Sequence, residues 1–377
     1  MKKAIALLVA IMMVASLVAC SSSSANSTAG STGGNAAPAS NEQSRRLVYQ
    51  LCTATGTPDE VNINRFAEDV EKVTGGMITV DVQPVGAITG YNEAATGVRD
   101  GAMDMSSISI SGQVGTMGNT AYLYGGSGSP GGFNPGEFFA WYYEGGGEEF
   151  VSADVKASTD CFNLGLVDCS GAEIFCHSNI ILDATDKYTG VKYRTMGFWA
   201  DVMTALGASV VNLSGGDIYQ AAEKGLIDAF EYCGPKMDWD MGFQEVAKYI
   251  GVPGIHSPIC VNLAYMNQGV YDSFSPERQA QLYECCKASG FRSIYYFATV
   301  DAIGLQNFID YGTEIFVLDE DTQKDFLEVS YGIMQQYMKD DAHYKEVYDN
   351  QKEYLTAYNG INDTIQIKMN VYDKYPG

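Results

Sequence analysis

Arg194 has the most chemistry to offer. It closes a short run, 190–194, that reads as a β-strand entered through a glycine. In open α/β sheets ligands lie off the C-terminal ends of the strands, so a side chain there points at whatever is bound. A guanidinium presents a planar fork that holds a carboxylate by two parallel hydrogen bonds. A structural ion pair is the plainer reading of the same residue. Few other chemistries have their residues in place. The chain has three histidines (His177, His256 and His343) and no CxxC or HxxxH spacing, which argues against zinc. His256 reads as a core or hinge histidine. No GxSxG elbow is present, and no Cys/His pairing supports a hydrolase. The glycine-rich run 125–132 lacks the Gly-Lys-Ser/Thr ending of a phosphate loop and reads as a flexible connection.

The elements that must hold Arg194 follow a regular alternation. Residues 47–54 read as a strand. Thr57-Pro58-Asp59-Glu60 forms a capping box with proline at the first helical position. Ile63, Phe66, Val70 and Val73 recur at helical spacing, and Thr74-Gly75-Gly76 stops the helix. Strand 77–82, helix 91–101 and a strand opening at 102–105 complete a first module. A second repeats the rhythm: strand 190–194, helix 197–206, strand 209–213, a helix capped at Gly216-Asp217 and running over 218–224, and strand 226–231. Such alternation predicts mostly parallel sheets covered by helices. From Ser275-Pro276-Glu277 a helical pattern runs towards residue 309, with Gly290 and Gly304 as points where it could break. A helix of that length suits a brace between two lobes. The tail, 322–358, reads as helices whose tyrosines and charges form a solvated face.

The N-terminus speaks to location. Lys2 and Lys3 precede an apolar run too short to span a bilayer, followed by Leu17-Val18-Ala19-Cys20 and four serines. This describes a secretory signal peptide, and the cysteine resembles the lipobox of bacterial lipoproteins, which implies lipidation at Cys20. Residues 21–43 are rich in Ser, Ala, Gly, Asn and Thr and read as a leash reaching on the order of 25–30 Å. The formal charge of −23 makes nucleic acid and anionic lipid poor partners. An anionic ligand would then need a local positive centre. Eight cysteines remain besides Cys20. They fall in core-like apolar runs and are expected to stay free thiols.

At this point a family resemblance emerges. Phe66-Ala67, Thr74-Gly75-Gly76-Met77-Ile78-Thr79-Val80, Val85-Gly86 and Gly101-Ala102-Met103-Asp104-Met105 resemble the first lobe of the solute-binding proteins of TRAP transporters, the DctP family. Gly190-Val191-Lys192-Tyr193-Arg194, Gly215-Gly216-Asp217-Ile218-Tyr219 and the block from Ala222 through Glu231-Tyr232 to Gly234-Pro235 sharpen it. The subgroup most similar is that of 2-oxo-acid and lactate binders. The resemblance implies an α/β, two-lobed periplasmic-binding-protein-like fold of type II, with a hinge and a long interlobe helix. The expected organisation is a signal peptide at 1–19, a tether at 20–43, a first lobe at 44–170 joined by about 260–299, and a second lobe at 171–259 joined by about 300–377.

It also implies roles. Arg194 grips the substrate carboxylate. Glu231 and the carbonyl of Tyr232 are cation ligands, and Glu173 is a third, at a position where relatives often carry Gln. Trp199 and Tyr232 are candidate pocket walls. Two glutamates and a substrate carboxylate outweigh one guanidinium by two charges, and like charges ~4 Å apart cost about 4 kcal/mol at an effective dielectric near 20. Ca²⁺ with oxygen ligands is therefore the expected bridging ion, with Na⁺ and a protonated glutamate as the alternative. Relatives carry an aromatic cluster after the Asp-Met strand, where this chain has residues 109–115, so the substrate's tail is left open. The expected function is capture of a small 2-oxo or 2-hydroxy acid and delivery to TRAP-type membrane subunits, driven by an ion gradient and without catalysis. The protein would be held outside the cell membrane by its N-terminal lipid, and the tail allows a homodimer. An exported metal-dependent enzyme acting on organic acids, or a binding protein feeding a sensor, are the alternatives.

Overall fold

The computed structural model describes residues 43–125 and 130–365. The signal peptide, Cys20, nearly all of the tether and residues 126–129 of the glycine-rich run lie outside them. The described residues build two sheets. The first has the order β2-β1-β3-β10-β4, from β1 (Arg45–Gln50), β2 (Ile78–Gln83), β3 (Met105–Ser109), β4 (Phe162–Ser170) and β10 (Cys260–Met266). The second has the order β11-β9-β5-β8-β6-β7. Its strands are β5 (Cys176–Ser178), β6 (Lys192–Arg194), β7 (Ser209–Val211), β8 (Ala229–Phe230), β9 (Tyr249–Val252) and β11 (Glu314–Val317). The architecture is the two-lobed α/β one expected.

The sheets are mixed rather than mostly parallel. β1 pairs parallel with β2 and β3, but β10 runs antiparallel between β3 and β4. In the second sheet β5 is antiparallel to both β8 and β9. The cause is the chain path. Segments 171–175 and 253–259 carry the chain from one sheet to the other and back, and the strands that receive them enter against the local direction.

Local chemistry explains the element ends. Thr57 caps helix Pro58–Val73 by accepting from the amide of Glu60 at 3.4 Å. The expected box is only half built, because Glu60 Oε2 takes the amide of Gly56 instead. Ile63, Phe66 and Val70 are buried under the first sheet. The helix ends where the Thr74 hydroxyl donates to Val70 O and accepts from the Ile78 amide, while Gly75 and Gly76 adopt φ of 64° and 80°.

The long helix, Pro276–Tyr311, is unbroken over 36 residues. Gly290 and Gly304 are contact points instead of breaks. A Cβ on Gly290 would lie 2.3 Å from Leu166 O in β4, and one on Gly304 would lie 2.5 Å from the amide of Lys236 in the second lobe. One glycine lets the helix seat on each lobe, as a brace requires. Assigning all of 300–377 to the second lobe needs correction. Helix Glu320–Asp340 does pack there, with Phe326 against Trp199 and Tyr188. Helix Ala342–Ile365 instead bonds to segment 123–154, through Gln351 to Leu123 O, Trp141 to Asn350 and His343 to Asp154. A continuous apolar core, including Leu166, Tyr265, Phe175, Trp199 and Tyr344, joins the two sheets.

Candidate functional site

β6 lies between β7 and β8, parallel to both, with Arg194 opposite Val211 and Phe230. Glu231 follows directly on β8. Arg194 and Glu231 thus sit side by side at the C-terminal ends of neighbouring parallel strands, and the Glu231 amide donates to Arg194 O at 3.3 Å. Both are buried, at 3 % and 4 % exposure.

The guanidinium is held at several points of unequal strength. Nε and Nη2 both donate to Leu213 O, at 3.0 and 2.9 Å, and Nη1 donates to Glu231 O at 2.6 Å. These carbonyls anchor it. The Glu231 carboxylate touches Nη1 at 3.2 Å, and Nη2 rests against the Met196 sulfur at 3.2 Å. The Tyr232 ring lies 5.9 Å from the guanidinium carbon. That ring fills the space a side chain at position 215 would need, since a Cβ there would come within 2.4 Å of it.

Glu173 and His256 arrive on the two segments that cross between sheets. The Glu173 amide donates to Ser257 O at 3.1 Å, and Gly254 packs so closely that a Cβ would lie 1.9 Å from Glu173 O. His256 Nε2 stands 3.2 Å from Glu173 Oε2 and 4.0 Å from Glu231 Oε2. Yet neither ring nitrogen of this fully buried histidine has an aligned hydrogen-bond partner. Ligand atoms of Glu173, Glu231 and His256 all lie within 4.8 Å of one another, a spacing able to hold a metal ion. Burial holds the Glu173 carboxyl above its usual range, against the pull of the adjacent His256. Two close carboxylates beside a buried imidazole whose nitrogens lack an aligned partner make a donor set that fits a cation.

The structure therefore brings Arg194, Glu231, Tyr232 and Glu173 together. Trp199 stands behind them: it is fully buried and packs at 5.6 Å on both His256 and Phe326. Its ring backs the cluster. His256 is the member that sequence reasoning placed elsewhere, as a core or hinge residue, and no local pattern marks it. Tyr91 of the first lobe is a second addition. It is 37 % exposed, with the hydroxyl close against Gly112, and the charge of Arg194 acts to lower its raised phenol, so it lies within electrostatic reach of the guanidinium. A polar hollow lined by Asn179, Tyr219, Glu223, Lys248 and Tyr311 shares no residue with this cluster. Among the described residues every cysteine is a free thiol.

Residues 51–341 match the family described as bacterial extracellular solute-binding protein, family 7, DctP. The monocarboxylate 2-oxoacid-binding periplasmic protein of Nostoc sp. is 23% identical over 306 residues, covering 80% of this chain and 83% of that protein. A TRAP transporter solute-binding protein of Bordetella bronchiseptica, solved with calcium and picolinate, superposes with a TM-score of 0.78 at 20% identity, covering 86% of this chain and 95% of the other. Those of Colwellia psychrerythraea, with calcium and pyruvate, and Pseudoalteromonas atlantica, with sodium and pyruvate, each give 0.78 at 19% identity. Each covers 86% of this chain, and 98% and 97% of their own. The chain belongs to the DctP family, bacterial extracellular solute-binding protein family 7.

Proposed function

We propose that this protein captures a small 2-oxo or 2-hydroxy acid outside the cell and passes it to TRAP-type membrane subunits, without breaking a bond. The observation that carries this reading is how Arg194 is held. The carbonyls of Leu213 and Glu231 fix the guanidinium in place, while its Nη1 and Nη2 meet the Glu231 carboxylate and the Met196 sulfur, both at 3.2 Å. A ligand carboxylate replaces those two contacts with a bidentate pair and leaves the anchors intact. The Glu231 carboxylate released in this exchange is then free to join Glu173 around a cation.

Charge makes the cation necessary. Without ligand, Arg194 and Glu231 balance. An incoming anion upsets that balance in a site that already holds Glu173, within a chain of formal charge −23. Glu173, Glu231 and the carbonyl of Tyr232 are the residues that would hold the ion, with His256 orienting Glu173. Two carboxylates favour Ca²⁺, and Na⁺ is the alternative. Relatives bound to pyruvate with calcium or with sodium support both. The three crossings between the sheets (171–175, 253–259 and the long helix) are the hinge about which the lobes close. The signal peptide, the lipid on Cys20 and the tether belong to the same reading: they keep the receptor at the outer face of the membrane. No helix among the described residues is long and apolar enough to cross it.

Calorimetry on protein dialysed against EDTA tests the proposal. Pyruvate should give no binding heat until Ca²⁺ or Na⁺ is restored, and Arg194→Ala should abolish that heat. Cation-independent binding, or binding unchanged by the substitution, would overturn it.

A further inference from the structure

The first lobe contains a second group of polar side chains that the carboxylate site does not use. Asp59 and Asn62 lie one turn apart on the buried face of helix Pro58–Val73. Asp168 of β4 and Asn262 of β10 are direct cross-strand partners. The pairing of β4 with β10 slips between Asn262 and Leu263, which pair with Asp168 and Leu166, so Val167 is an extra residue. A bulge of this kind re-aims the side chains around it. Here it turns Asp168 to the face covered by the helix, the face Val167 also shares with Ile63 and Phe66. Asn262 lies on that same face, because its neighbours Val261 and Leu263 point into the opposite core. Opposed residues on one face of an antiparallel pair stand about 4.5–5.5 Å apart at Cβ. The Asn62 amide nitrogen is 3.0 Å from Asp168 Oδ1, 3.1 Å from Val167 O and 3.2 Å from Ser289 Oγ. Three acceptors around that nitrogen fix the orientation of the amide and leave its oxygen on the other side.

Among the described residues four oxygens then find no donor outside the group itself: Asp59 Oδ2, Asn62 Oδ1, Asp168 Oδ2 and Asn262 Oδ1. Their side chains are 0–6 % exposed. Burial raises both carboxyls; their contact with each other lowers Asp59 and raises Asp168 further. Buried acceptors in this number call for a partner that offers only positive charge. One shared proton would serve the two aspartates and leave both carboxamide oxygens unmet. A hard cation serves all four, and oxygen-only donor sets with two carboxylates suit Ca²⁺.

We propose that Asp59, Asn62, Asp168 and Asn262 form a second, structural Ca²⁺ site at the base of the hinge in the first lobe. Its position gives it a task. Asp168 stands just before the crossing 171–175, and Asn262 just after the crossing 253–259. An ion there ties both strands that lead into the hinge to the helix Pro58–Val73. The first lobe would then close as one body, carrying Tyr91 towards Arg194.

The test separates this site from the cleft by working in the Glu173→Gln/Glu231→Gln protein, whose carboxylate site is disabled. Ca²⁺ should still raise its melting temperature by several degrees. Tb³⁺ should bind with luminescence sensitised by the buried Tyr49 and the nearby Tyr296, whose phenols burial raises and the charge of Asp168 raises further. Adding Asp168→Asn should abolish both signals. If that variant does not fold, Asn262→Leu, which removes one oxygen and keeps an apolar filler, should weaken Tb³⁺ at least tenfold. Absence of any Ca²⁺ shift and Tb³⁺ signal in the disabled background would overturn the proposal. So would an infrared carboxylic-acid band that persists at saturating Ca²⁺ and disappears in Asp59→Asn, because the pair would then be holding a proton.

Discussion

Two histidine–carboxylate pairs lie in or beside the second sheet, both fully enclosed, and they do opposite things. His177 meets Asp238 at 2.7 Å, with both side chains at 0 % exposure. The rings of Phe230, Phe243 and Phe308 surround the imidazole, 5.0–5.6 Å away. Burial pushes His177 down to about 3 and pushes Asp238 up, so the pair sits uncharged in a sealed core. His256 meets Glu173 at 3.2 Å, also buried, but Arg194, Glu231 and two interlobe crossings converge beside it. Burial is the same in both places. The difference is that the first pair is closed by apolar rings on one lobe, and the second lies where the chain passes between lobes and carries unbalanced charge. An acid–base pair becomes a binding centre through what its neighbours leave unsatisfied.

That contrast can be broken most sharply at Arg194. Arg194→Ala should weaken carboxylate binding by more than about a hundredfold, in line with the loss expected for one partner of a buried charge pair. Its melting temperature without ligand should change far less than its affinity, and calorimetry with thermal unfolding reads both. At the sealed pair the pattern reverses. His177→Ala should cost about 1–3 kcal/mol of stability by stranding a buried carboxyl, while ligand affinity stays within about twofold. If affinity collapses there too, the two pairs are not independent.

Acidity sharpens the comparison further. An unfolded imidazole takes up a proton near pH 6.5, whereas the buried His177 refuses one until about 3. The folded state then binds fewer protons than the unfolded chain, so this group costs stability as pH falls below about 6.5, by about 1.4 kcal/mol per unit. Asp238 has the opposite sign. Its raised carboxyl keeps a proton that the unfolded chain gives up above about pH 3.9, and the two slopes offset each other across this range. Asp238→Asn removes the offset. Its stability, followed by denaturant titration from pH 6.5 to 4, should fall more steeply than that of the parent; parallel curves would contradict the uncharged pair. The smallest effect expected is at Glu173. Glu173→Gln removes one of the uncompensated charges, so the preference for Ca²⁺ over Na⁺ in supporting ligand binding should drop by about tenfold, as read from affinities in each salt.

Legibility in the sequence followed the range of the interactions. The cap at Thr57, the stop at Gly75-Gly76 and the strand ends carrying Arg194 and Glu231 depend on near neighbours and were readable. Helix Gly215–Glu223 starts one turn early, with Ser214 as its N-cap: the Asp217 amide donates to Ser214 O at 3.1 Å, and the Ser214 hydroxyl donates to the Asp217 carboxylate. Gly290 and Gly304 read as helix breaks because nothing local reveals that Leu166 and Lys236 press against them. His256 was missed for the same reason. Its closeness to Glu173 and Glu231 is made by segments 171–175 and 253–259 meeting between lobes, a contact with no local signature. The antiparallel entries of β5 and β10 come from the same crossings.

The most direct test of the central claim is a crystal structure grown with pyruvate and Ca²⁺. The account predicts that the ligand carboxylate takes both terminal nitrogens of Arg194 while Leu213 O and Glu231 O keep their hold, with the ion between Glu173 and Glu231. Pyruvate bound elsewhere, with Arg194 still against the Glu231 carboxylate and the Met196 sulfur, would contradict it.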